Sequence, residues 1–262
     1  MSVRSPTPSV AELRAATQPP SLFERNSGEH WAGKLYMRRV SPFVTRLLLR
    51  TGLSPNAVTW VMILDGVAAA GVLTLPGVGA AVGAFLLIQL QLLLDCVDGE
   101  MARWLDRRSP VGVYLDRIGH YLTETALPIA LGVRADGGWD SIGGWTTLGS
   151  LIAVLVLLVR TESALVHVAR AEAGKPLVED SEEVAAPRAG GLRRIRRLLT
   201  FAPFFRAFVA VEASLLAFAA AVVDSFAGDF AGTRALLLAM VPIAAVTAAG
   251  HLVAILASSR LR

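Results

Sequence analysis

The chain has 262 residues, of which 54% are hydrophobic and 18% charged, and it carries a net charge of +4. Soluble domains use roughly 45–50% apolar residues, so this composition excludes a single soluble domain and points to the bilayer. The mean hydropathy of +0.55 agrees. The one cysteine, Cys96, excludes an intramolecular disulfide and reads as packing.

Residues 1–20 are rich in Ser, Thr and Pro, so residues 1–33 are expected to form a flexible cytoplasmic N-terminus. The first 30 residues lack the apolar core of a cleavable signal peptide. Across 34–50, Leu35, Met37, Val40, Phe43, Leu47 and Leu48 are interleaved with Lys34, Arg38, Arg39 and Arg46. That pattern predicts an amphipathic helix on the cytoplasmic leaflet, broken or kinked at Pro42. Ser54-Pro55-Asn56 is a plausible helix entry, with proline near the start. A span needs about 20 mostly apolar residues, and six segments qualify: Ala57–Thr74, Val78–Leu94, Ile118–Val133, Thr146–Leu165, Pro203–Val223 and Ala235–Ala257. His120 and Glu124 interrupt the start of the third. Residues 174–191, with two prolines and an acidic run, read as a loop. The expected fold is all-α, a six-helix integral membrane bundle over 51–262 preceded by the interfacial helix, with no internal repeat and no second domain.

Basic residues set the orientation. They crowd the N-terminal segment (Arg38, Arg39, Arg46, Arg50), the second loop (Arg103, Arg107, Arg108, Arg117) and the fourth (Arg188, Arg193, Arg194, Arg196, Arg197). Leu75–Gly77 has none, the third loop has only Arg134, and the fifth is acidic apart from Arg234. The positive-inside rule then places both termini and the even-numbered loops in the cytoplasm, in a multi-pass protein of the cytoplasmic membrane. The pI near 9.8 comes mostly from these loops and reads as positive-inside topology plus attraction to anionic lipids, so membrane lipids are expected as partners and nucleic acid is not.

At the end of the second apolar segment stands a group that lipid-facing sequence should lack. Asp95, Asp98, Gly99, Ala102 and Arg103 are spaced i, i+3, i+4, i+7, i+8 and share one helix face. Asp116, His120 and Glu124, at i, i+4, i+8, form a stripe on the next helix. Antiparallel packing brings the stripes together, and converging carboxylates repel unless a hard cation such as Mg²⁺, Mn²⁺ or Ca²⁺ neutralises them. Charges at a membrane boundary are expensive and usually mark a site.

This spacing, D-x2-D-G-x2-A-R-x8-G-x3-D-x3-D, resembles the signature of the CDP-alcohol phosphotransferases. Seven of its eight fixed residues are present, namely Asp95, Asp98, Gly99, Ala102, Arg103, Gly112 and Asp116. The specific resemblance covers 51–125; a Pro-Asn-x-x-Thr often found in the family is matched by Pro55, Asn56 and Thr59. It implies an enzyme of phospholipid biosynthesis in which an acceptor hydroxyl attacks the β-phosphorus of a CDP-linked lipid or alcohol and displaces CMP. On this basis Asp95, Asp98 and Asp116 are expected to bind Mg²⁺ or Mn²⁺. Gly99, Ala102, Arg103, Asn56 and Thr59 are expected to bind the nucleotide, and a homodimer is expected because family members tend to form one.

The eighth residue is His120, where the family has the Asp proposed as base. An imidazole, with a free pKa of about 6.5, is a competent base but a poorer Mg²⁺ ligand than a carboxylate. Catalysis is therefore assigned to His120, Asp116 and Arg103, with Glu124 one turn deeper as a substitute base. Arg160 and Arg170 are the expected ligands of a phosphorylated acceptor, with His167 and the Arg193–Arg197 cluster as further candidates. Asp65 and Glu212 read as polar groups facing the bundle, and His30 and His251 have no assigned role. Two other functions fit the residues: a relative that binds nucleotide or lipid without turnover, raised by His120, and a transporter. Against the transporter, the acids gather at one face rather than along a path.

Overall fold

A computed structural model describes residues 8–19, 30–176 and 204–261. Among them there are eight α-helices and no strand. They are α1 (Val10–Thr17), α2 (Arg38–Leu49), α3 (Pro55–Leu73), α4 (Val78–Trp104), α5 (Pro110–Ala135), α6 (Gly144–Glu172), α7 (Ala210–Ala227) and α8 (Ala231–Ala257). Five of the described helices, α3, α4, α6, α7 and α8, are long and apolar enough to cross a membrane. The expected third span falls within α5, whose Asp116, His120, Glu124 and Arg134 keep it outside that set. The expected fifth span begins later than its hydropathy implies, because a 3₁₀ turn, Phe204–Phe208, precedes α7. Leu64, Val154, Val246 and Leu256 are exposed, as residues facing lipid are. The protein is a multi-pass integral membrane protein.

The chain divides into two compact units, residues 1–69 with 83–123, and residues 70–82 with 124–262. In the first, composition gives no hint of α1, yet a capping box starts it. Ser9 Oγ accepts from the Glu12 amide and Glu12 Oε2 accepts from the Ser9 amide. A π-helical turn, Gly33–Met37, leads into α2. Pro42 does not break α2, which runs unbroken through it. Proline lacks the N–H that would reach the Arg38 carbonyl, and Gln18 Nε2 donates to that carbonyl instead, at 2.9 Å. Arg14 Nη2 takes the next one, Arg39 O, at 2.9 Å. α2 turns Ser41 and Thr45 inward and leaves Val40, Phe43 and Leu47 45%, 59% and 60% exposed. Polar side inward and apolar side outward is the pattern a lipid-facing helix needs.

Two Ser-Pro pairs start the helices that carry the site. Ser54 Oγ accepts from the Ala57 amide before α3, and Ser109 Oγ accepts from the Gly112 amide before α5. In each, proline occupies the first helical position, where its missing N–H is harmless. Met62 of α3 with Val97 and Met101 of α4 are fully buried in the core beneath. In lipid such packing stabilises through van der Waals contact more than through exclusion of water.

In the second unit, α6 and α7 both pack on α8. α5 and α6 cross at Gly132 and Gly149, where an added Cβ on Gly149 would collide with the Pro128 carbonyl. Arg134, 1% exposed, donates to the Leu75 carbonyl at 2.6 Å and the Gly77 carbonyl at 3.2 Å, and lies 3.6 Å from Asp224. Asp136 accepts from the amides of Gly143 and Thr146, both at 2.8 Å, and so caps α6. Burial alone would raise its carboxyl, but the bonds from Thr146, Gly143 and Trp145 hold it below the ordinary carboxylate range.

Candidate active site

Helix periodicity delivers the motif to one place. The last three turns of α4 and the first two of α5 line a cavity of about 290 Å³ in the first unit. α4 supplies Asp95, Asp98, Gly99, Ala102 and Arg103; α5 and its cap supply Ser109, Gly112 and Asp116. The start of α3 adds Asn56 and Thr59, and α2 adds Arg38. A Cβ at Gly99 would stand 3.1 Å from Nη1 of Arg103, and one at Gly112 would stand 3.1 Å from Oδ1 of Asn56. Both glycines thus leave room for polar side chains at the wall, and the amino ends of α3 and α5 border it, where anions are favoured.

His120 joins the two stripes. Its Nε2 lies 3.3 Å from Asp95 Oδ1 and 3.4 Å from Asp116 Oδ1. The donor atoms of Asp95, Asp116 and His120 all fall within 4.8 Å of one another. Two carboxylate oxygens and one imidazole nitrogen at that spacing fit a divalent cation, the nitrogen suiting Mn²⁺ or Zn²⁺ better than Mg²⁺. Asp98 stands in the same cavity, but its Oδ2 accepts from Thr59 Oγ1 at 2.6 Å. The expected trio Asp95, Asp98 and Asp116 is thus gathered in one cavity, with His120 closer to two of its members than Asp98 is shown to be.

Glu124, the expected substitute base, is engaged by another partner. It is buried in the second unit and accepts from Arg160 Nε at 2.6 Å and Nη2 at 2.5 Å, a bidentate pair. Arg160 lines a separate small cavity of about 40 Å³, otherwise mostly apolar, with Val156, Phe208 and Ala244. Arg170 donates to the carbonyls of Pro176 and Arg260, at 2.9 and 3.0 Å. Both expected acceptor arginines therefore have partners within the second unit. Among the described residues neither His167 Nδ1 nor the buried Asp65 Oδ2 has a hydrogen-bond partner, and His251 bonds Ser163 at 2.9 Å. Arg193, Arg194, Arg196 and Arg197 lie outside the described residues.

Sequence reasoning missed two residues. Arg38 reads as a topology-setting cation, yet it lines the cavity. Glu100 reads as part of a polar run, yet it is completely buried and accepts from Ser41, Thr45 and Gln18. Its position one residue past Gly99 was the available signal, because that rotates it about 100° off the motif face.

The chain is similar to known proteins over much of its length. Over 99 residues, 36% of this chain and 50% of the relative, the chain is 40% identical to an archaetidylinositol phosphate synthase from Aeropyrum pernix. It thus spans about half the length of that curated relative. The family model for CDP-alcohol phosphatidyltransferases matches residues 52–226, a range that contains the whole acidic cavity apart from Arg38, and the chain belongs to that family.

Proposed function

We propose that the protein transfers a substituted phosphate from a CDP-linked lipid or alcohol to an acceptor hydroxyl and releases CMP. The observation that carries this reading is the meeting of His120 with Asp95 and Asp116, two acids of a cavity that Arg103 and Arg38 also line. Family membership supports the donor class. The name of the Aeropyrum relative makes inositol phosphate the first acceptor to try.

In this reading Asp95 and Asp116 would hold a divalent cation, Mg²⁺ or Mn²⁺, with Asp98 beside them. A bound cation there neutralises and polarises phosphoryl oxygens. Thr59 fixes the Asp98 carboxylate. Arg103 holds the charge that develops on the donor phosphates, and the helix ends at Asn56 and Gly112 favour the same anion. Gly99 and Ala102 keep the helix wall low enough for the nucleotide to approach. The acceptor oxygen attacks the β-phosphorus, the bond to CMP breaks, and the hydroxyl proton passes to His120. The site and both termini face the cytoplasm, α5 completes six spans, and the chain works as a homodimer.

A second reading makes His120 Nε2 a cation ligand rather than the proton acceptor, and its distances to both carboxylates favour it. His120→Ala separates the two. As base, its loss lowers turnover by about 10²–10⁴-fold with Mn²⁺ binding intact; as ligand, Mn²⁺ binding weakens with turnover. The decisive assay combines purified protein, CDP-diacylglycerol, a divalent cation and a panel of alcohols and alcohol phosphates, with products read by mass spectrometry. CMP release that stops with chelator and returns with Mg²⁺ or Mn²⁺ supports the transferase. Nucleotide binding without CMP release under every acceptor identifies a binding protein instead.

A further inference from the structure

Glu100 has no part in the proposed chemistry, yet it is the most heavily engaged of the described carboxylates in the first unit. Its side chain is 0% exposed. Oε1 accepts from Ser41 Oγ at 2.5 Å and Gln18 Nε2 at 2.8 Å, and Oε2 accepts from Thr45 Oγ1 at 2.6 Å. Nη1 of Arg38 lies 3.5 Å from Oε1. A carboxylate withdrawn from water is tolerated only with partners of this quality. Three of them are neutral and tie α1 and α2 to α4. The fourth is different, because Arg38 is also part of the wall of the acidic cavity.

We propose that Glu100 is a positioning residue for donor binding, fixing the Arg38 guanidinium at the cavity wall where it meets an anionic phosphate of the donor. The inference rests on the transferase reading above. Four arginines line the cavity, Arg38, Arg103, Arg107 and Arg108. Arg107 and Arg108 are exposed, whereas Arg38 and Arg103 are partly buried, where charges act more strongly. A loose arginine loses rotamer freedom when it grips a phosphate; one already held by a buried carboxylate loses less. Glu100, rigid on the helix that carries Asp95 and Asp98, sets Arg38 in register with those acids.

The test uses the full chain in detergent micelles, measuring CDP-diacylglycerol affinity in the presence of Mn²⁺ together with thermal unfolding. Arg38→Ala and Glu100→Gln should each weaken binding about 10-fold or more, the scale of a hydrogen bond to a charged group. The double variant should bind no more weakly than Arg38→Ala alone, because Glu100 acts through Arg38. Additive losses, or a lowered unfolding temperature with unchanged affinity of the folded protein, would reduce Glu100 to a structural role and overturn the proposal. If Glu100→Gln does not fold, Glu100→Asp and Arg38→Ala carry the test, and wild-type affinity in either overturns it. Wild-type protein that binds neither CDP nor CDP-diacylglycerol refutes the transferase reading itself. Wild-type protein that binds both, beside an unaffected Glu100→Gln, refutes the positioning role alone.

Discussion

Two groups of charge, one in each unit, are handled in opposite ways. Arg134 in the second unit is buried with every need met by fixed protein atoms, two carbonyls, the Thr233 hydroxyl and Asp224. Asp95, Asp98 and Asp116 in the first unit share a cavity; Asp98 is buried, whereas Asp95 and Asp116 are left part-exposed with one imidazole between them. A charge balanced by the chain itself holds structure together. A surplus of one sign left in a cavity asks for something from outside. The two regions should therefore fail differently when altered.

The largest effect belongs to the balanced charge. Arg134→Leu strands Asp224 and two carbonyls, and should destabilise the protein by about 3–5 kcal/mol. Adding Asp224→Leu should recover part of the loss, as read by thermal unfolding in detergent. An Arg134→Leu protein as stable as wild type would erase the contrast. Next comes the surplus. Asp95→Asn or Asp116→Asn should cut CMP release by about 10²–10³-fold, the scale of losing one charge-stabilising group. Neither should lower the unfolding temperature, because each relieves repulsion. Full turnover in either variant would remove the acidic cavity from the chemistry. The smallest effect sharpens the boundary between the two behaviours. Thr59→Val removes the hydroxyl that orients Asp98 at 2.6 Å, and should slow turnover about 10-fold while leaving Mn²⁺ affinity in place. A loss as large as that of Asp95→Asn would mean that Thr59 does more than orient its neighbour.

Local pattern made much of this readable. The i, i+3, i+4 spacing of the motif is a statement about one helix face, and the structure puts those residues along one cavity. Ser54-Pro55 announces the start of α3 for the same local reason, and the identical device at Ser109-Pro110 begins α5. The unread parts depend on partners distant in the chain. Glu124 has the spacing of a third residue in the His120 stripe, but Arg160, 36 positions later, claims it. Arg38 resembles any basic residue of a cytoplasmic loop until Glu100 is seen beside it. The extent of α5 as a span is unread for another reason: charged residues stand on both sides of its apolar stretch, Ala126–Val133, and hydropathy averages them together.

Pro42 carries a consequence for how this chain can vary. By leaving the Arg38 carbonyl without its usual donor, the proline opens a socket on α2 that Gln18 Nε2 fills while also reaching Glu100. Positions 18, 42 and 100 are therefore a single lock assembled from three remote stretches of chain. An alanine at 42 would make a better isolated helix and close the socket. Improving the part would loosen the whole, and drift at any one of the three positions should be matched at the others.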